Sequence, residues 1–217
     1  MTQIRTRTIA AAALAAACAL ARPAPAQEHT HMHGAAPLPA SAQGYQWTPA
    51  DAHFMSAMIH HHAQAIEMSR LAPAQAGSEQ VRILAARIIN AQQDEIATMQ
   101  RWLRERGQPV PEATGGPMKM TMNGMEHEML MPGMLTPAQM DELKQARGRD
   151  FDRLFLTYMI QHHRGATSMV TELFGTQGAG QDEAVFKFAS DVNVDQTTEI
   201  ARMQRMLAAL IFESPAP

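Results

Sequence analysis

The stretches MIHHHAQAIEM, residues 58–68, and MIQHHRGATSM, residues 159–169, place paired histidines between methionines at matching positions. Neighbouring residues also match at this offset of 101, and EIATMQRWL, residues 95–103, matches EIARMQRML, residues 199–207, at an offset of 104. The chain therefore carries an internal duplication. Because each copy has an apolar stripe that it cannot bury alone, two copies facing each other predict one shared core.

Start and stop signals divide each copy into two helices. Thr48-Pro49 and Thr136-Pro137 have the pattern of an N-cap followed by proline at the first helical position. The predicted helices cover residues 48–71, 79–106, 136–174 with a bend near Gly148, and 181–211, with no convincing strand. The predicted fold class is all-α: a four-helix bundle, residues 47–213, made of two duplicated helical hairpins, 47–107 and 136–213.

The first 46 residues differ in composition from the rest. Arg5 and Arg7, then an alanine- and leucine-rich run, then Ala24-Pro25-Ala26 predict a secretory signal peptide over residues 1–26. The apolar run is shorter than the roughly 20 residues that span a bilayer. Residues 27–46 predict a disordered leader. We expect a periplasmic or secreted protein without an integral membrane segment.

Cys18 is the only cysteine and lies inside the predicted signal peptide. A lipoprotein anchored at Cys18 is the weaker alternative, because Ala15 stands where leucine is usual. A mature chain without thiols excludes disulfides, cysteine nucleophiles and thiolate metal sites. A formal net charge of −3 gives no basic face for nucleic acid. Soft-metal chemistry would then depend on the 18 methionines and 10 histidines.

Two histidines of each copy face the predicted core. His61 and His62 are the i+3 and i+4 neighbours of Met58, so one thioether and two imidazoles lie on one side of the helix, whereas His60 falls on the polar side. The second copy agrees, because Gln161 stands at the position of the third histidine. One helix of each copy can therefore direct three metal-binding groups at one point.

The second helix of each copy carries a glutamine and a glutamate within its apolar stripe, Gln92 and Glu95 in one, Gln196 and Glu199 in the other. A buried carboxylate or imidazole is costly without a partner, so each is the natural partner of the other. Two interpretations stay open: a satisfied polar layer that fixes helix register, or a metal site whose glutamates are ligands or orient the imidazoles. The candidate metal residues of the helices are Met58, His61, His62, Met159, His162, His163, Glu95, Glu199, Met99 and Met203, the last two having core filling as their alternative.

The linker, residues 108–135, is rich in methionine. In MKMTMNGMEHEMLMPGM, residues 118–134, no single helical or strand period covers all seven methionines, and the glycines and prolines favour a mobile loop. Thioethers favour Cu(I) and Ag(I), although an apolar loop covering the bundle end is the alternative. The candidate ligands are Met118, Met120, Met122, Met125, His127, Met129, Met131 and Met134 in this linker, and His29, His31 and His33 in the leader.

The segments FMSAMIHHHAQAIEMS, DEIATMQRWL, MPGMLTPAQMDELKQARGRDFDRLFLTYMIQHHRGATSM and TTEIARMQRML resemble the domain of unknown function 305 over about residues 51–210. The resemblance implies a ferritin-like four-helix bundle, usually exported in bacteria, some members of which bind copper and silver and contribute to copper tolerance. It also implies a preferred ligand set of His61, His62, His162, His163, Met58 and Met159.

We therefore expect a copper-binding protein that sequesters or shuttles Cu(I) and Cu(II), with silver as a further cargo and other copper-handling proteins as partners. No residue is assigned a catalytic role. A ferritin-like dinuclear oxidase is an alternative, but such sites usually need about four carboxylates, and Glu95 and Glu199 supply two. A metal-free bundle whose methionines dock a partner is the other alternative.

Overall fold

The computed structural model describes residues 46–122 and 125–212. The predicted signal peptide and the leader histidines His29, His31 and His33 lie outside the described residues. The part described is mostly helical, in agreement with the predicted all-α class. In these residues, no helix combines the length and apolar character needed to cross a membrane.

Six helices and one small hairpin make up the described chain. They are α1 (Pro49–Ser69), α2 (Ala72–Gln75), α3 (Glu79–Glu105), β1 (Met118–Met122), β2 (Met125–Met129), α4 (Pro137–Gln145), α5 (Gly148–Gly175) and α6 (Glu183–Phe212). The predicted caps of α1 and α4 are confirmed, because Thr48 and Thr136 each exchange capping bonds with the residue three positions on. The bend predicted near Gly148 is a break between α4 and α5, at a φ of +59°.

The antiparallel pair β1–β2 shows that the expectation of a linker without strands was wrong. Methionine alternates with other residues in MKMTM and in MEHEM, a period of two typical of strands. The dipeptide between them, Asn123-Gly124, favours two-residue hairpin turns, although these two residues lie outside the described part. No single period covers all seven methionines, but each strand has a short alternating pattern of its own. The strands were not predicted because the seven residues were considered together.

The four long helices pack as two hairpins, α1 against α3 and α5 against α6, and α1 contacts α5. Buried apolar side chains form two clusters, and each cluster draws on all four long helices. Met58 and its duplicate Met159 belong to different clusters, as do Met99 and Met203. Equivalent residues of the two copies therefore pack in different parts of the core. Between the clusters lies a polar layer, here called the imidazole layer, made of His61, His62, His162 and His163.

Two buried aspartates tie each hairpin to a loop of the other. Asp51 on α1 accepts a hydrogen bond from the backbone nitrogen of Gly180 at 2.7 Å, in the loop before α6. Its duplicate Asp152 on α5 accepts bonds from the backbone nitrogens of Gly77 at 3.2 Å and Ser78 at 2.8 Å, before α3. Burial raises the pKa of Asp152. The duplication thus produces a reciprocal brace between the hairpins.

The end of α3 meets the start of α6 at an aromatic junction. The rings of Trp47 and Trp102 pack edge to face with centroids 5.9 Å apart. The indole nitrogen of Trp102 donates to Asp182 at 3.2 Å, and the Arg106 guanidinium pairs with the same carboxylate at 2.9 Å. A carboxylate just before α6 therefore holds two groups of α3.

Candidate metal centre

The imidazole layer lies where α1 and α5 meet, and all four of its side chains are fully buried. The rings of His61 and His162, one from each copy, have centroids 3.8 Å apart and planes inclined by 40°. The ring of His62 lies 6.4 Å from that of His61, and His163 lies 6.3 Å from His162. Histidines of both copies therefore meet in the interior, while His60, predicted on the polar side, is partly exposed.

The outer histidine of each copy contacts a glutamate of the neighbouring helix. His62 Nε2 lies 2.8 Å from Glu95 Oε2, a close approach without hydrogen-bond alignment. His163 Nε2 lies 2.7 Å from Glu199 Oε2 and does form a hydrogen bond. The predicted pairing of histidine with glutamate is confirmed. Because the glutamates are 20 % and 22 % exposed, each one joins a buried imidazole to the solvent side of α3 or α6.

The linker contacts the imidazole layer through the backbone of Pro132. His61 Nε2 donates to the backbone oxygen of Pro132 at 3.0 Å, which leaves Nδ1 of this ring for another contact. The buried amide of Gln64 binds the linker at two separate points. Its nitrogen donates to the carbonyls of Gly115 and Leu135 at 3.1 and 3.0 Å, and its oxygen accepts from Leu135 N at 2.7 Å.

The central imidazoles are neutral and retain unpartnered nitrogens. Burial, with the charge of His62 next, lowers the pKa of His61 to about 3. Burial and then His61 lower the pKa of His162 well below its usual value. His61 and His163 leave Nδ1 without a hydrogen-bond partner, and His162 leaves both ring nitrogens so. Neutral imidazole is the form that binds metals, and buried polar atoms without partners are uncommon enough to need an explanation.

The histidine and glutamate side chains of this region contact each other in pairs and do not converge on one point. Across the described residues, no three histidine, cysteine, aspartate or glutamate side chains are grouped so that they could hold one ion. The layer therefore presents two histidine–glutamate pairs and a central pair of imidazole rings in close, tilted contact. A metal bound there would need a rotation of the imidazoles toward a common point.

The methionines of the helices are placed as packing alone would place them. Met58, Met99, Met159 and Met203 are all fully buried in the apolar clusters. Met58 and Met159 each lie one helical turn from the histidines of their own helix, which keeps them beside the imidazole layer. Their positions are compatible with both of the interpretations drawn from the sequence.

The methionines of the linker divide into buried and exposed ones. Met131 and Met134 are buried in the core and Met118 packs against it, as expected for the alternative of an apolar loop that covers the bundle end. Met125 and Met129 are 62 % and 45 % exposed. The side chains of Met120, Met122 and His127 lie outside the described part of the structure.

Two residues beside the linker, His53 and Met169, were not predicted as candidate site residues. Met129, Met131 and Met169 line a cavity of about 280 Å³ together with His53 at the start of α1. Duplication gives no signal for His53, because Leu154 occupies the matching position. Met169 ends the second quoted stretch and could have been found as the duplicate of Met68.

Several carboxylates lie close together on the surface between α3 and α6. Burial raises the pKa of Asp195, and the nearby charges of Glu95, Asp191 and Glu199 raise it further. Asp191 and Asp195 stand on the outer face of α6 and outside the duplicated motifs, so sequence reasoning did not single them out. The negative potential that they create lies beside Glu95 and Glu199, which contact the imidazole layer.

The sequence profile of the Domain of unknown function (DUF305) matches residues 51–207. Among similar solved structures, a presumed secreted DUF305 protein of Streptomyces coelicolor is 30 % identical with a TM-score of 0.61, the match covering 77 % of this chain and 96 % of that protein. A DUF305 fragment of Deinococcus radiodurans is 28 % identical with a TM-score of 0.62, over 75 % and 97 % of the two chains.

Structures of CopM are also similar. CopM in its Cu(II)-bound form is 30 % identical with a TM-score of 0.56, over 75 % of this chain and 97 % of CopM. The Cu(I)-bound and Ag-bound forms of CopM are 27 % identical with TM-scores of 0.55, over 78 % of this chain and all of CopM. No curated protein sequence gives a significant match.

Proposed function

This chain belongs to the DUF305 family, and from that premise we propose that it is an exported copper-binding protein that takes up Cu(I) and Cu(II), with Ag(I) as a further ion. The observation that carries the proposal is the set of buried, neutral imidazoles of both copies with unpartnered nitrogens at the α1–α5 contact. The copper- and silver-bound forms of the similar protein CopM support the choice of metal.

We assign the imidazole layer as the primary site. His61, His62, His162 and His163 would supply nitrogen ligands, which suit Cu(II) and also accept Cu(I). Glu95 and Glu199 would orient the outer imidazoles through the contacts described above, or bind the ion themselves. Met58 and Met159 would offer thioethers one turn away. Met99 and Met203, deeper in the clusters, are the weaker members of this set.

We assign the linker as a second site for the softer ions. Met125 and Met129 are exposed, so their thioethers are accessible, and Met131 borders the same cavity as Met129. Thioether ligands select Cu(I) and Ag(I) without any thiol. Met118, Met120, Met122, His127 and Met134 complete the proposed set, and His29, His31 and His33 of the leader would add a looser Cu(II) site.

The architecture and location are part of the proposal. The packing of α1, α3, α5 and α6 around shared clusters supports a ferritin-like four-helix bundle over residues 47–213. A cleaved signal over residues 1–26 and a leader over residues 27–46 would deliver it to the periplasm or outside the cell. There the protein would sequester copper for tolerance or pass it to other copper-handling proteins.

Anaerobic titration with Cu(I) against a competing chelator, and aerobic titration with Cu(II), test the two sites separately. His61→Leu/His162→Leu keeps the core apolar and filled, and we expect it to weaken Cu(II) binding by at least about tenfold. Replacing Met118, Met120, Met122, Met125 and Met129 by leucine should weaken Cu(I) binding more than Cu(II) binding.

The matched control is His60→Gln, because this histidine lies on the polar side of α1, outside the imidazole layer, and the second copy carries Gln161 at the same position. It should leave Cu(II) binding unchanged. Wild-type affinities for both ions in the two ligand variants would refute the assignment. Dioxygen consumption with Fe(II) would instead favour a dinuclear oxidase.

A further inference from the structure

A cleft between α3 and α6 is lined mainly by oxygen-bearing side chains, with Arg87, Ile88 and Ala91 on its walls as well. Its volume is about 220 Å³, and Gln92, Glu95, Asp195, Gln196 and Glu199 line it. Gln92 and Glu95 come from the first copy, whereas Gln196 and Glu199 are their duplicates in the second. The duplication therefore places two identical amide–carboxylate pairs on the walls of one cleft.

The two glutamines are the unusual feature. Gln92 and Gln196 are 2 % and 4 % exposed, and the side-chain oxygen of each has no hydrogen-bond partner. A buried amide oxygen without a donor is costly, and both copies keep one at the same cleft. A ligand that accepts electron pairs would satisfy both oxygens at once, whereas an anion would be repelled by them and by the glutamates.

The charges around the cleft favour a cation. Glu95, Asp195 and Glu199 carry negative charge, and Arg87 at the cleft supplies a single positive one. An adjoining groove shares Glu95 and Asp195 and adds Asp94 and Asp191. Lys187 also lines this groove, but it is paired with Asp191 at 2.6 Å. The negative charge thus extends from the cleft along the surface, where it would attract cations.

The geometry points to a site for a hydrated divalent cation in this cleft, with the carboxylates of Glu95 and Glu199 and the amide oxygens of Gln92 and Gln196 as its oxygen partners. Oxygen donors of this kind select hard ions such as Mn²⁺, Mg²⁺ and Ca²⁺ over Cu(I). Two carboxylates are few for a closed cage, but small hard ions commonly bind through one or two carboxylates and keep several waters. A volume of about 220 Å³ accommodates such an ion, since a water occupies about 30 Å³ of liquid.

This site shares Glu95 and Glu199 with the proposed copper centre, but its remaining ligands are different. The linker contacts the imidazole layer through Pro132, whereas the cleft lies between α3 and α6 and is lined by the two glutamates. Thioethers and imidazoles at the imidazole layer suit soft and borderline ions, whereas the side chains proposed as ligands in the cleft all bind through oxygen. The two sites would therefore differ in the ions that they select.

Mn²⁺ is the probe of choice, because it prefers oxygen and its free and bound forms differ in electron paramagnetic resonance. We expect the copper-free, full chain to bind Mn²⁺, and Glu95→Gln/Glu199→Gln to bind it at least about tenfold more weakly. Gln92→Met/Gln196→Met keeps the side-chain size, removes the two amide oxygens, and should also weaken binding. Circular dichroism confirms that each variant is folded.

Two controls decide the outcome. Glu112→Gln removes an exposed carboxylate of the loop before β1 and should leave Mn²⁺ binding unchanged, as should His61→Leu/His162→Leu. Equal Mn²⁺ affinity in the wild type and the folded Glu95→Gln/Glu199→Gln variant would overturn the inference, as would an equal loss in Glu112→Gln. Loss of copper binding in His61→Leu/His162→Leu bears on the copper site alone, so the two proposals fail separately.

Discussion

The properties of His61 and His162 come from burial as much as from residue type. Helical spacing predicts that both rings face inward, because each lies three residues beyond a core methionine. Spacing could not predict that the two ring centroids would lie 3.8 Å apart, because this distance depends on how α1 crosses α5. Nor could it predict the bond from His61 to Pro132, since that partner is a backbone atom 71 residues away.

Burial of His61 makes the stability of the metal-free protein depend on pH. The unfolded imidazole takes up a proton near pH 6.5, whereas the folded one does so only at about pH 3. Acid therefore favours the unfolded state below pH 6.5, at about 1.4 kcal/mol per pH unit, or roughly 2 kcal/mol by pH 5. Urea unfolding at pH 7 and pH 5 measures the loss.

The His61→Leu variant serves as the comparison for that measurement, because it replaces the titratable imidazole with an apolar side chain that fills the core. We expect its stability to fall less between pH 7 and pH 5 than that of the wild type. Parallel losses in the two proteins would contradict the role of His61 in the pH dependence.

At the scale of elements, one position of the duplication has diverged to seat the linker. This position is Gln64 on α1, whose amide binds Gly115 and Leu135. In the second copy it is Gly165 on α5, against which the backbone of Pro132 packs directly. A Cβ atom at Gly165 would lie 1.8 Å from the backbone oxygen of Pro132. The same position thus holds the linker by hydrogen bonds in one copy and makes room for it in the other.

Gly165→Ala should displace the linker from α5. Because the backbone of Pro132 must move, the contact of Pro132 with His61 would be lost as well. Overpacking of this kind costs about 1–3 kcal/mol. Thermal unfolding gives the loss of stability, and limited proteolysis of the linker reports its release.

Gly175→Ala is the matched control, since this glycine lies in the same helix and a Cβ there meets nothing within 4 Å. It should be neutral or slightly stabilising, because alanine favours helix more than glycine does. Equal effects of the two substitutions would show that helix propensity, rather than the linker contact, governs the response at Gly165.

For the whole molecule, the sequence predicted the helical class, the order of the long helices and the inward pairing of histidine with glutamate. These follow from periodicity, capping signals and the cost of burying charge, which act over a few residues. The β1–β2 hairpin was missed because two short alternating patterns, residues 118–122 and 125–129, were treated as one. The brace formed by Asp51 and Asp152 was also missed, since its partners are backbone groups of distant loops.

The brace should contribute to global stability. Asp51→Ala removes the acceptor for the backbone nitrogens of Gly180 and Thr48 and leaves the buried Gly180 N–H without a partner. We expect a loss of about 2–3 kcal/mol in the free energy of unfolding, as is usual for bonds to a buried charged group. Chemical denaturation measures it, with Asp141→Ala, an exposed site, as the control expected to change little.

The chain has two tryptophans, and both belong to the junction between α3 and α6. Native indole fluorescence therefore monitors one end of the protein, whereas far-ultraviolet dichroism averages over every helix. If the melting curves from the two spectroscopic signals coincide, the ends loosen together. If the two melting curves separate, the two ends of the bundle unfold independently. The native tryptophans are sufficient to detect this without an added label.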